Sequence, residues 1–132
     1  MNKKAKEIIT HEEFWKDSFT DKKIVAISTD LQLNIARTKN GKVIDHEIWQ
    51  KTLNHIKNIT NFSSSSSVLE LCCGNGVIIG ELAKTANKAT GVDYSEILLN
   101  QLKTAYKREN LTTYCDDVKS INLPKNFYHQ II

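Results

Sequence analysis

Four carboxylates and two glycines are spaced as a ligand site would need them. Glu70 precedes the run Cys72-Cys73-Gly74-Asn75-Gly76, Asp93 follows Glu70 by 23 residues, and Asp116-Asp117 come later in the chain. Gly74 and Gly76 let the backbone pass close to a ligand where a Cβ would clash. An acid about 20 residues beyond such a turn is placed to accept hydrogen bonds from ribose hydroxyls. The charge of Glu70 narrows the class of nucleotide further. A carboxylate beside the turn repels a pyrophosphate and attracts a ligand that carries cationic groups.

The other reactive side chains read as structural. Cys72 and Cys73 have no histidine near them in sequence to activate a thiolate, so packing is the better account of both. Three cysteines, two of them adjacent, make neither a disulfide framework nor a zinc ligand set; a reduced, cytoplasmic protein with no metal is expected. His46 and His55 lack partners at ligand spacing, and His129, which could serve as a base, opens a strand and is better read as structural. Trp15, Trp49 and Phe14 read as core or lid aromatics, whereas Tyr94, next to Asp93, is within reach of an adenine face. The five serines from Ser63 to Ser67 read as a flexible linker in preference to a modification target.

These residues need elements that hold them together. The 132 residues suit a single domain, and 40% hydrophobic with 25% charged residues excludes a disordered or fibrous chain. Eighteen Lys and Arg against 15 Asp and Glu leave +3, too mild a charge to argue for nucleic acid. No apolar run approaches the ~20 residues that cross a bilayer, and Thr10 to Glu13 interrupt any signal-peptide core.

Residues 1–62 read as helical. Thr10 and Glu13 have capping-box spacing ahead of Phe14, Trp15 and Phe19, a short helix covers 30–36, and Asn40-Gly41 marks a turn. Asp45 caps a longer helix with Ile48, Trp49, Leu53 and Ile56 inward, Ile44 and Trp49 forming a hydrophobic staple. From residue 63 strands alternate with helices. Strands are expected over 68–72, 88–93 and 111–115 and from 128 onward. Helices are expected over 77–86 and from Ser95 through Arg108, the latter with Leu98, Leu102, Ala105 and Tyr106 inward. This order implies an α/β fold, a Rossmann-like doubly wound parallel sheet that is incomplete, with strands 1–3 and the start of a fourth, preceded by N-terminal helices. Ligands bind beyond the carboxyl ends of such strands, which is where Glu70, Asp93 and Asp116-Asp117 fall.

The strings VLELCCGNG, GVDYS and YCDDVKSINLP, in this order and spacing, resemble the class I S-adenosylmethionine-dependent methyltransferases, of the bacterial small-molecule type. The resemblance covers about Leu33 to Ile132 and is strongest from Val68 to Asp93. It implies S-adenosyl-L-methionine as cofactor, a ligand whose sulfonium and ammonium suit the charge of Glu70. It further implies a donor loop from Glu70 through Gly76, including Cys72, Gly74 and Asn75, with Asp93 on the ribose and Tyr94 beside it. Asp117 and Val118 would meet the adenine edge, with Asp116 the alternative acid. IARTKNGKVID resembles a segment that helps close the donor pocket. Cys72 departs from the glycine usual at its position, and Tyr128-His129 from the usual Phe-Asp.

The family fold continues through at least three more strands, and groups that select and activate the acceptor commonly follow the fourth. The chain is therefore expected to be an N-terminal part, with 1–62 a helical segment and 63–132 a truncated first part of the cofactor domain. It is expected to be inactive by itself, with its catalytic residues unknown. The expected acceptor is a small molecule, without nucleic acid or membrane as partner, and an oligomer or partner chain would complete the sheet. Two alternatives stay open. One is an NAD(P)-binding oxidoreductase fragment with Gly74-Asn75-Gly76 and Gly80 as its phosphate turn; the other is a non-catalytic module of the same fold.

Overall fold

The structure, a computed structural model, describes Glu13, residues 17–19 and residues 30–132. Thr10, Phe14 and Trp15 lie outside the described residues. Helix α1 (Leu31–Asn34) is capped by Asp30, whose carboxylate accepts from the N–H of Gln32 at 2.8 Å. Strands β1 (Thr38–Lys39) and β2 (Lys42–Val43) form a hairpin. Asn40 and Gly41 join them with φ of +53° and +72°, the pair of positive values a two-residue type I′ turn requires. Helix α2 (His46–Ile59) starts at Asp45, which accepts from the Glu47 N–H at 2.9 Å. Ile44, Trp49, Leu53 and Ile56 join one core cluster, as expected, but Ile48 is 57% exposed. It stands one residue, roughly 100° of helix, away from Trp49 and so turns to solvent.

The serine run is not a loose linker. The Ser66 hydroxyl accepts from the Ser63 N–H at 3.0 Å, and the Ser66 carbonyl accepts from the N–H groups of Asn87 and Lys88 at 3.0 and 3.2 Å. Ser66 and Ser67 are buried, and Ser67 already belongs to strand β3 (Ser67–Leu71).

The main sheet contains β3, β4 (Lys88–Asp93), β5 (Leu111–Cys115) and β6 (Gln130–Ile131), all parallel, in the order β5-β4-β3-β6. Between the strands lie α3 (Ile79–Ala83) and α4 (Glu96–Ala105), both shorter than the apolar pattern suggests. In α4 the buried positions are Leu98, Leu99 and Leu102, while Ala105 is exposed; Leu99 takes the inward place expected for Ala105. Steps from β3 to β4 to β5 run in one direction, so right-handed crossovers place α3 and α4 on the same face. There Val68, Ile79, Leu82, Ala89, Leu99 and Leu102 form one core with Trp49 and Leu53 of α2.

Register decides which strand residues see the helices. Glu70 pairs with Gly91, Gly91 with Thr113, and Asp93 with Cys115. Alternation then turns Val68, Glu70, Ala89, Gly91 and Asp93 toward the helices, and Leu69, Leu71, Val92, Tyr114 and Ile131 toward the opposite face. The order reverses between β5 and β6, and residues 116–129 that make this connection contain no helix. No described helix is long and apolar enough to cross a membrane.

Candidate functional site

The carboxyl ends of β3 and β4, together with residues following α1, enclose a cavity of about 270 Å³. Five of the expected residues line it: Glu70, Cys72, Gly74, Asp93 and Tyr94.

Glu70 is 7% exposed, and its Oε2 accepts from the backbone N–H of Ile79 at 2.8 Å. That N–H is an orphan donor at the start of α3, where the capping residue Ile78 offers no side-chain bond. A carboxylate reaching over from the strand satisfies it. Burial raises the Glu70 pKa from 4.5 to about 8, against the opposing pull of the Ile79 hydrogen bond and the Arg37 charge. Dinucleotide folds seat their pyrophosphate at the corresponding helix start. Here the Glu70 side chain already occupies it. Gly80 is no phosphate-turn glycine either: it lies inside α3 against the Tyr106 ring, which a Cβ would overlap. Both facts count against the NAD(P) alternative.

The loop after β3 makes three left-handed residues, Cys72 (φ +56°), Gly74 (+55°) and Gly76 (+76°). For Cys72 this conformation costs roughly 1–2 kcal/mol that glycine would not incur. The Gly74 N–H donates to Asp93 Oδ2 at 2.8 Å, and the Ser95 N–H donates to Asp93 Oδ1 at 2.9 Å. Asp93 therefore ties the loop to the start of α4. A carboxylate offers about four lone-pair sites, so it keeps capacity for a hydroxyl from a ligand. The Cys73 thiol turns inward against Gly91, where an added Cβ would lie 2.8 Å from its sulfur. Burial pushes the pKa of Cys73 far upward and that of Cys72 upward as well, so neither is a ready nucleophile.

Other expected site residues stand elsewhere. Asn75 is completely buried and does not line the cavity; its Nδ2 donates to the Leu31 carbonyl at 2.7 Å and to Gln101 Oε1 at 3.1 Å. Asn34 Nδ2 donates to the same Gln101 oxygen at 3.1 Å, which completes a bridge from α1 to the loop and α4. Gly76 packs against Leu102 in place of a ligand. Asp116, Asp117 and Val118 follow β5 outside the cavity wall. The Asp116 N–H donates to the Asp93 carbonyl at 3.0 Å, the Asp117 N–H to Asp116 Oδ1 at 2.7 Å, and the Lys119 N–H to Asp117 Oδ1 at 2.9 Å. His129 is structural: its Nδ1 accepts from the Ser67 N–H at 2.9 Å, joining β6 to β3.

Cys73 and Val77 complete that side, and the remaining walls come from residues not expected at the site, namely Ile35, Arg37, Leu98 and Phe19. Ile35 and Arg37 do fall in the string IARTKNGKVID, so that segment borders the cavity as expected. Phe19 is brought there by the Ser95 hydroxyl, which donates to its carbonyl. No local pattern signals that contact, because it joins residues 76 apart.

Residues 68–132 match the family described as methyltransferase domain. Two curated proteins, both malonyl-[acyl-carrier protein] O-methyltransferases, are similar to this chain. The one from Bacillus cereus is 26% identical over 98 residues, covering 67% of this chain and 36% of that protein. The one from Bacillus anthracis is 31% identical over 67 residues, covering 49% and 25%. The chain thus spans about a third or less of each relative. Among solved structures, phosphoethanolamine N-methyltransferase 1 of Haemonchus contortus shares the fold at a TM-score of 0.67 and 13% identity, covering 92% of this chain and 25% of that one.

Proposed function

With residues 68–132 a class I S-adenosylmethionine-dependent methyltransferase domain, we propose that the chain holds S-adenosylmethionine in the cavity beside Glu70, Gly74 and Asp93, for methyl transfer to a small-molecule acceptor. The observation that carries this reading is the buried Glu70 on the Ile79 N–H, whose side chain fills the start of α3 and leaves no seat there for a pyrophosphate. When bound, the donor supplies a methyl group on a sulfonium, whose bonding electrons stay with sulfur as an acceptor lone pair takes the carbon. The chain's task is alignment, and effective molarity accounts for much of the acceleration. Asp93 accepts from ribose hydroxyls while holding Gly74, Tyr94 flanks the ring, and Asp116 or Asp117 with Val118 approaches the adenine edge. A base is needed only if the acceptor keeps its proton at neutral pH. No histidine lines the described cavity. A carboxylate acceptor, in keeping with the printed names of the two Bacillus relatives, requires none.

Further strands from the rest of a longer protein, or from a partner, would extend the sheet beyond β6. The three free thiols fit a cytoplasmic setting. Calorimetric titration with S-adenosylhomocysteine and with NADH tests the proposal. Binding of the first alone is expected, weakened at least tenfold by Asp93→Asn. Binding of NADH without S-adenosylhomocysteine overturns it.

A further inference from the structure

A second groove lies apart from the cofactor cavity. It measures about 530 Å³ and runs between the β1–β2 hairpin and the first turn of α2, with Val43, Ile44 and Ile48 as its apolar part. Val43 and Ile48 are 41% and 57% exposed, although both are of types that folding buries where it can. Lys39 and Lys42 line the same groove beside the Asn40-Gly41 turn. They are direct cross-strand partners, a placing that sets Cβ atoms about 5 Å apart and is unfavourable for like charges. Among the described residues neither ammonium makes an ion pair. The one carboxylate lining the groove, Asp45, accepts from the Glu47 N–H as the cap of α2, and Glu47 itself pairs with Lys51 at 3.1 Å. Concentrated positive charge therefore stands beside exposed aliphatic surface, and no described residue answers either.

We propose that this groove docks an acidic amphipathic helix of a partner protein, with carboxylates against Lys39 and Lys42 and an apolar ridge on Val43, Ile44 and Ile48. Charge selects the sign of the partner: a carboxylate set between two opposed lysines relieves their repulsion and adds its own attraction. Shape selects its form. A concave groove closes on a ridge, which side chains at i, i+3, i+4 and i+7 of a helix supply and a bilayer surface does not. Strand β1 begins one residue after Arg37 of the cavity wall, so a partner seated here stands beside the cofactor cavity without entering it. The docking holds whichever cofactor that cavity takes.

The test is fluorescence anisotropy of labelled synthetic peptides of about 20 residues, long enough to hold a helix, titrated with the full chain. The acidic probe carries Leu at i, i+3, i+4 and i+7 and Glu at the flanking positions. In a second probe Lys replaces every Glu, and in a third Ser replaces every Leu. The acidic probe is expected to bind about tenfold or more tightly than either. Lys39→Glu with Lys42→Glu is expected to weaken it about tenfold, and Ile48→Ser about fivefold. Lys39→Arg with Lys42→Arg is expected to stay within about twofold of wild type, because the groove uses the sign of the charge. Added salt is expected to weaken the acidic probe. Thermal melts show which variants are folded, and the Arg pair and Ile48→Ser carry the test if the Glu pair is not.

The proposal is overturned if the acidic and lysine probes bind alike, since the groove would then make no use of its charge. It is equally overturned if the acidic probe binds the Glu pair or Ile48→Ser as tightly as wild type, which would place the contact elsewhere. Wild-type chain that binds no probe at all overturns it too. Vesicles of phosphatidylserine and phosphatidylcholine are the remaining comparison. Chain that sediments with them through Lys39 and Lys42, yet takes up no peptide, makes this surface a membrane contact and sinks the helix docking.

Discussion

Glu70 shows how one side chain can serve both fold and site. Its burial is unfavourable to the charged form, so the carboxyl stays protonated in the folded chain up to about pH 8, against an ordinary value of 4.5. Between those values the folded chain binds more protons than the unfolded one, and this group's contribution to stability declines as pH rises. The contribution is complete below the unfolded value and lost as pH climbs through the folded one. Glu70→Gln keeps an oxygen for the Ile79 N–H and removes the ionisation. Thermal melts from pH 5 to pH 9 are expected to show the variant gaining on wild type as pH rises, by several degrees at the alkaline end. Parallel melting curves across that range would show that Glu70 is ionised in the fold. The acid itself was legible in the sequence. Its hydrogen bond was not, because nothing local says that a strand residue caps the helix nine positions later.

At the scale of elements, the donor loop is held from two sides. Asp93 fixes its outer edge through Gly74, and Asn75 fixes its inner edge to α1 and α4. Ile35 and Arg37, which follow α1 in the cavity wall, are held in part through that second attachment. Asn75→Ala leaves the Leu31 carbonyl without its donor, a loss of about 1–3 kcal/mol for a buried acceptor. Hydrogen exchange is expected to quicken over residues 30–37 and to stay slow over β3 and β4. Uniform quickening across the sheet would mean that Asn75 supports the core as a whole and is no specific attachment. The sequence marked Asn75 as a ligand-loop residue by its place between two glycines. In the structure its side chain bonds to Leu31 and Gln101, with φ of +55° at Gly74 and +76° at Gly76 on either side of it.

The two faces of the sheet are covered unequally: opposite the helices Leu69, Thr90 and Val92 are buried at the centre, and the exposure lies at the margins. Three helices cover Val68, Ala89 and Gly91, whereas Leu71, Tyr114 and Ile131 on the opposite face are 37%, 41% and 62% exposed. Phe127 adds 37% exposure nearby, across the groove it shares with Tyr114. Among the described residues β6 pairs with β3 alone and stands at the end of the sheet. Contiguous apolar surface of this kind drives association. Sedimentation of the purified chain is expected to show mass rising with concentration, and Ile131→Lys to shift it toward monomer. A wild-type chain that stays monomeric at high concentration contradicts this.

Much of this protein is written in local patterns. The strand and helix order, the parallel sheet, the glycine turn and the placing of Glu70 and Asp93 at neighbouring strand ends all follow from periodicity and turn chemistry within short windows. What tertiary structure alone decided is which groups those patterns leave facing one another. Arg37 lines one cavity with the acids of two strands, Asn75 bonds to the Leu31 carbonyl and Gln101, Asp116 and Asp117 each accept a backbone N–H of their own turn, and the serine run becomes a bonded corner. Each of these outcomes depends on a hydrogen-bond partner or a wall chosen by the packed chain. A residue's type and spacing state what chemistry it can do, but its partner in space settles whether that capacity is left for a ligand.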